Sequence, residues 1–189
     1  MNSNPGHRTV NQQIRLNNGQ MVSVRHAQVS DTELFLRFFA GLSAKSREFM
    51  HGWSADNACN LDHAHSLAAK THADDHCALV VLDGAPPHER IVGYCWIDRI
   101  ENKDAIPMLG LGVIDEYHEK GMGKALLLLM IEHARTLGLD RVKLGVWDDN
   151  PRAIHVYEAV GFQTASTLAA KDFDGRTEIY MVVRTGRDS

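Results

Sequence analysis

The chain has 189 residues, 44% hydrophobic and 23% charged, the makeup of one ordinary folded domain rather than a fibre or a disordered tail. Twenty basic against 24 acidic side chains leave a net charge of −4, so there is no overall basic field to hold a nucleic-acid backbone. The longest apolar run, ALLLLMI at 125–131, is far short of the ~20 residues that cross a bilayer, and the first twenty residues lack the apolar stretch of a secretory signal. Together these features predict a cytoplasmic chain whose partners are neither nucleic acid nor membrane.

Residues 1–12 are predicted to fray and residues 13–185 to form a single domain. Residues 13–27 read as a hairpin, because Asn18-Gly19 supplies a positive-φ turn between QIRL and MVSVRHA. Ser30 or Asp31 can cap a helix through about Ala40 that carries Leu34, Leu36, Phe38 and Phe39, and a second helical region is predicted over 43–72. Ala78 to Leu82 and Ile91 to Ile100 are short apolar runs flanking a Pro86-Pro87 turn, which predicts adjacent antiparallel strands. Ile106 to Ile114 is the next strand. Its Leu109, Leu111 and Val113 share one face, while Gly110 and Gly112 leave the other almost bare, the mark of a bulge or of close approach by another molecule.

After the loop DEYHEKGMG, Leu127, Met130, Ile131 and Ala134 follow helical spacing, and Gly138 sits where a helix stops. Val142, Leu144 and Val146 then alternate with Arg141, Lys143 and Gly145, so a strand follows and lies parallel to the strand before the helix. Asn150 suits an N-cap and Pro151 the first helical position, and Ala153, Val156, Tyr157 and Val160 share a face that ends near Gly161. Strands near 163–169 and 177–183 meet as a hairpin around Asp174-Gly175, and RTGRDS is predicted to fray.

The loop His118-Glu119-Lys120-Gly121-Met122-Gly123-Lys124 places two glycines where a helix begins. Unpaired backbone N–H groups there, backed by the positive end of the helix dipole, suit a phosphate, although the loop alone fits a tight turn with surface lysines equally well. A Walker loop would need glycine where His118 stands and a hydroxyl where Ala125 stands; a Rossmann fingerprint starting at Gly110-x-Gly112 would need glycine at Asp115. ATP and NAD are therefore disfavoured. His63, His65, His72 and His76 crowd together with Asp74, Asp75 and Cys77, a spacing that can hold zinc or nickel. No HExxH or CxxC pattern fixes ligands among them, so a polar helix-and-loop rim explains them without a metal. The three cysteines, Cys59, Cys77 and Cys95, read as reduced thiols, Cys95 as a packed residue of the strand VGYCWI.

The stretch His118 to Gly123 resembles the central signature of the GCN5-related N-acetyltransferases (GNAT), Arg/Gln-x-x-Gly-x-Gly/Ala. VWDDNPRAIHVYEAVGF resembles the family's second signature, with Asn150, Ala153, Tyr157, Gly161 and Phe162 in register. The segments IRLNNGQMVSVRHAQVSD and FLRFFAGLSAKSREF resemble the start of the bacterial protein-lysine acetyltransferase branch, so the likeness runs over roughly residues 14 to 183. It implies a stand-alone α/β (α+β) domain with a mixed, mainly antiparallel six- to seven-stranded sheet, splayed at its centre and flanked by about four helices. It implies acetyl-CoA as cosubstrate and no metal. The coenzyme diphosphate would lie on the amides of His118, Glu119, Lys120, Gly121, Met122, Gly123 and Lys124, with the pantetheine arm along the backbone of Leu111, Gly112 and Val113 and against Asn150. Tyr157 would protonate the departing thiolate; packed on its helix face, it also reads as a core aromatic.

Two departures from the family pattern matter. His118 replaces Arg or Gln, which makes phosphate affinity pH-dependent in expectation, rising below neutral pH. Pro107-Met108-Leu109-Gly110 lacks the glutamate that relays the amine proton in many relatives. Asp98, Glu101 and Asp148 are candidates for that role by position, although each reads more readily as an ordinary solvated carboxylate. The acceptor amine stays open between a small molecule, a peptide N-terminus and a protein lysine, its pocket formed by the helices at 31–72 and the loop near 169–176. A homodimer is also open, since relatives often pair and exposed residues of the last strands could form an edge. The rival reading is a catalytically weak acyl-CoA-binding sensor or interaction module.

Overall fold

The computed structural model describes residues 10–50, 61–69, 76–98, 105–169 and 175–186. Among these residues eight strands form one sheet: β1 (Asn11–Arg15), β2 (Met21–His26), β3 (His76–Asp83), β4 (Arg90–Asp98), β5 (Met108–Val113), β6 (Arg141–Trp147), β7 (Gln163–Ala169) and β8 (Thr177–Arg184), in the order β1-β2-β3-β4-β5-β6-β8-β7. Every neighbouring pair is antiparallel except β5–β6. The count exceeds the expected six to seven because the hairpin at each end contributes both of its strands. Among the described residues there are five α-helices where about four were expected: α1 (Thr32–Ala40), α2 (Ala44–Glu48) and α3 (Leu61–Ala69), the last two within the region over 43–72, then α4 (Met122–Thr136) and α5 (Pro151–Glu158).

α1 begins at Asp31, whose side chain does not cap the helix. Its carboxylate instead takes both guanidinium nitrogens of Arg25 at 2.7 Å and the Gln28 N–H at 2.7 Å. That bidentate pair pins the helix to β2, while Phe35, Phe38 and Phe39 bury one face of α1. α4 buries Leu126, Leu127, Met130 and Ala134 on the opposite face of the sheet, where Met122 packs against Gly93 of β4. The C-terminal tail is held further than its composition suggests. β8 runs to Arg184, and the Thr185 N–H donates to the Asp140 carbonyl at 3.0 Å.

Of the two bare glycines of β5, Gly110 has a different cause from the one expected. A Cβ on Gly110 would fall 2.0 Å from the Trp96 ring, and one on Gly112 would fall 3.2 Å from both Phe38 and Met50. The Trp96 ring of β4 fills the face at Gly110, so that glycine makes room for the protein's own core, whereas Gly112, bordered by Phe38 of α1 and Met50 after α2, lies where the sheet opens. Trp96 is fixed there by stacking on Tyr94, with ring centroids 4.8 Å apart.

Candidate active site

β5 and β6 pair only at Met108 and Lys143, where the Lys143 N–H donates to the Pro107 carbonyl at 2.9 Å. Beyond that contact they part, leaving a cleft of about 540 Å3. The Ile114 N–H bonds the Val92 carbonyl of β4 at 3.1 Å. By strand alternation the N–H and C=O groups of Leu111 and Val113 therefore turn the other way, onto the open edge. Leu111, Gly112 and Val113 line one wall, and Gly145, Val146, Asn150 and Tyr157 line the other.

The end of the cleft nearest α4 is built from the loop before that helix. Gly121 occupies the N-cap at φ 81°, Glu119 holds φ 61°, and no side chain caps the helix. The first-turn amides of Met122, Gly123 and Lys124 thus keep no capping partner and carry the positive end of the dipole, which fits a diphosphate. His118, Glu119, Gly121, Gly123 and Lys124 line the cleft. The Met122 side chain is fully buried in the core, and Lys120 lays its ammonium over the Tyr117 ring at 4.7 Å. The rear of the loop is anchored. The Asn17 N–H donates to the Lys120 carbonyl at 3.0 Å, and the Tyr117 hydroxyl donates to Asp83 at 2.5 Å while accepting from Gln20 and Arg90.

The surroundings of His118 move its expected protonation to more acidic pH. One ring nitrogen, Nε2, meets the Val113 carbonyl at 2.9 Å, and the Arg152 guanidinium reaches the other, Nδ1, at 2.7 Å. That pair of contacts selects the neutral ring with its hydrogen on Nε2. Burial, together with the Arg152 charge, lowers the pKa below the usual histidine value, against the pull of the Val113 carbonyl, Asp115 and Glu119. Protonation is displaced to more acidic pH, and Arg152 supplies the permanent positive charge that His118 does not. We expect Arg152→Ala to weaken acetyl-CoA binding by about three- to tenfold at neutral pH, read by calorimetry. Unchanged affinity would remove Arg152 from the site.

Asn150 caps α5 through its side-chain oxygen, which accepts the Ala153 N–H at 3.2 Å. The cap aims the helix so that Tyr157, two turns further on, reaches the cleft wall with its ring beside Phe162. Burial, with a smaller push from the Cys95 thiol, raises the Tyr157 phenol well above the ordinary tyrosine value, so it keeps its proton. Cys95 is itself fully buried, and burial raises its pKa, which removes it as a nucleophile.

Of the three expected carboxylates, neither Asp98 nor Asp148 lines this cleft. Asp98 pairs with His76 Nδ1, Asp148 accepts the Thr177 N–H at 3.3 Å, and Glu101 lies outside the described residues. Of the histidine cluster, His65 lies on α3 and His76 on β3, whereas His72, Asp74 and Asp75 also lie outside the described residues. Among the described residues no three His, Cys, Asp or Glu side chains converge on a point. The other side of the cleft is formed by Leu42, Ser46, Phe49 and Met50 around α2. Asp115 holds this helix, accepting from the Ser43 N–H at 3.0 Å, the Ser43 hydroxyl at 2.7 Å and the Ser46 hydroxyl at 2.8 Å. Burial opposes its charge, but those bonds bring the carboxyl down to about 2.

Among the cleft residues that the sequence does not single out are Asn17 and Arg152. Arg152 carried a signal: a cation in the first turn of a helix works against the dipole, so its place needs another reason. Asn17 carried none, because its role comes from the β1–β2 turn meeting a loop a hundred residues away.

A family model described as "Acetyltransferase (GNAT) family" matches residues 43–162. A mycothiol acetyltransferase of Propionibacterium freudenreichii subsp. shermanii is 34% identical over 113 residues, covering 58% of this chain and 35% of that protein. The chain spans about a third of the length of the curated relatives it matches. The GNAT domain of S. lividans PAT superposes with a TM-score of 0.73 at 20% identity, covering 92% of this chain and 97% of that one. Mycobacterium smegmatis RimJ in complex with CoA-disulfide gives 0.74 at 18%, covering 94% and 87%. With its splayed sheet and uncapped helix start, the chain belongs to the acetyltransferase (GNAT) family.

Proposed function

We propose that the chain is an acetyl-CoA-dependent N-acetyltransferase in which an acceptor amine attacks the thioester directly. The observation that carries this reading is the cleft between β5 and β6, with an open strand edge along one wall, an uncapped helix start at one end and a buried tyrosine in the other wall. Acetyl-CoA supplies an acetyl group activated as a thioester. The amides of Met122, Gly123 and Lys124 hold its diphosphate, assisted by Arg152, and the open backbone groups of Leu111 and Val113 hold the pantetheine arm as an added strand would be held. One lone pair of the Val113 carbonyl is already engaged by His118, so its other lone pair remains for that contact. Backbone N–H groups of the same edge are placed to stabilise charge on the carbonyl oxygen, and Tyr157 holds a proton for the departing thiolate.

The acceptor is read from the opposite side, where α2 and Phe49 close the cleft. Curated relatives are named for mycothiol, and solved neighbours for spermidine and for a ribosomal-protein alanine, so the family's acceptors range from small molecules to proteins. The first test is calorimetric titration of the purified protein with acetyl-CoA, because it needs no knowledge of the acceptor. Saturable one-site binding in the micromolar range is expected; no detectable binding would leave only a shared fold and sink the proposal.

A further inference from the structure

Where β6 ends and β8 begins, the structure holds a cation in a cage. The Arg176 guanidinium lies 4.9 Å from the Trp147 ring centroid and 5.5 Å from that of Phe49. Its Nη1 meets Glu48 at 2.9 Å and its Nη2 meets Asp149 at 2.9 Å. Lys45 completes the rim, with its ammonium 3.6 Å from Asp149 and 4.4 Å above the Phe49 ring. Two aromatic faces and two carboxylates are the elements that recognise an alkylammonium or guanidinium group.

Two features mark Arg176 as a replaceable occupant. Its Nε–H is buried without a hydrogen-bond partner among the described residues, so the cage engages the two terminal nitrogens and leaves the third donor unmet there. An ammonium on a plain alkyl stem has no such extra donor. Glu48 and Asp149 are also 47% and 44% exposed, so the cage opens to solvent. With Arg176 withdrawn, two carboxylates would face the single positive charge of Lys45, leaving a net negative site. The cage adjoins the cleft directly, because Phe49 lines both and Asp149 precedes the cleft residue Asn150.

We propose that Glu48, Phe49, Trp147 and Asp149 form an acceptor subsite for a second ammonium group, filled by the chain's own Arg176 until the acceptor displaces it. The inference rests on the acetyltransferase reading and names its substrate class. An amine held between two carboxylates keeps its proton and has no lone pair with which to attack, so the caged group and the reacting amine are different nitrogens. The acceptor is then an alkyl diamine or polyamine, with one nitrogen in the cage and another at the thioester beyond Phe49.

Spermidine is the probe. Arg176→Ala, and separately Arg176→Met, which retains an apolar stem, should bind spermidine at least about tenfold more tightly than the unaltered protein in low salt, measured by calorimetry. Adding Asp149→Asn to either variant should abolish the gain. In the unaltered protein, saturating spermidine should shift the Arg176 Nε–H resonance, a readout independent of whether the variants fold. Folded variants that bind spermidine no more tightly, or an Arg176 resonance that does not move, would overturn the subsite. Acetyl-CoA titration of the same proteins separates the two claims: spermidine binding without acetyl-CoA binding would sink the transferase reading and leave the cage standing, and the reverse would sink the cage alone.

Discussion

Replacing Tyr157 by phenylalanine should lower acetyl transfer by about 10²- to 10⁴-fold, the range lost when a positioned acid is removed, while acetyl-CoA affinity stays within about twofold. The two effects separate because Tyr157 is asked to act only as the C–S bond breaks. In the bound ground state its ring, packed beside Phe162, retains the same shape as phenylalanine. The pH dependence has a definite sign. Burial raises the phenol pKa, so the unaltered protein keeps this phenol protonated through and above the ordinary tyrosine value of ~10, and turnover should not fall there from phenol ionisation. The variant depends on solvent for that proton, so its deficit should widen as pH rises. Thiol release across pH 6 to 10, with calorimetry on the same samples, gives both readouts. A variant that loses acetyl-CoA binding instead would show Tyr157 to be a binding residue. A protein with no transfer to lose, under any amine, would favour the acyl-CoA sensor.

What the sequence revealed and what it hid divide along the range of the interactions. Local periodicity located α4 through Leu127, Met130, Ile131 and Ala134, and the Asn150-Pro151 pair located α5, because capping and amphipathic spacing are contained within a few residues. The signature at His118 to Gly123 is local for the same reason, since left-handed backbone and an uncapped helix start need only adjacent residues. The partners of that signature were hidden. Arg152 reaches His118 across 34 positions, Ser43 reaches Asp115 across 72, and Arg176 meets a helix and a strand end that precede it by far more than any sequence period. The meaning of Gly110 misled for a related reason. A missing side chain signals that something approaches, but not whether that is a ligand or, as here, the neighbouring strand's Trp96.

The second large effect is expected at Gly121. At φ 81° a valine is strained, and its Cβ would also fall 2.8 Å from the Asn17 side-chain oxygen. Asn17 cannot withdraw freely, because its backbone N–H holds the Lys120 carbonyl of the same loop. Strain of this kind costs on the order of 1–3 kcal/mol, and the loop can relieve it only by turning the residue out of the left-handed region, which rotates the amides at the start of α4 away from the cleft. Gly121→Val should therefore weaken acetyl-CoA binding by about tenfold or more, one factor of ten for each ~1.4 kcal/mol. General destabilisation is a competing explanation, and Gly138 controls for it. Gly138 has φ 72° at the far end of the same helix, with nothing among the described residues within 4 Å of its Cβ position. Gly138→Val imposes comparable backbone strain on α4 without touching the cradle. It should lower the melting temperature and leave coenzyme affinity unchanged, whereas Gly121→Val should lower affinity even at temperatures where the protein remains folded. Equal losses of affinity in the two variants would mean that strain in α4, rather than the orientation of its first amides, governs binding.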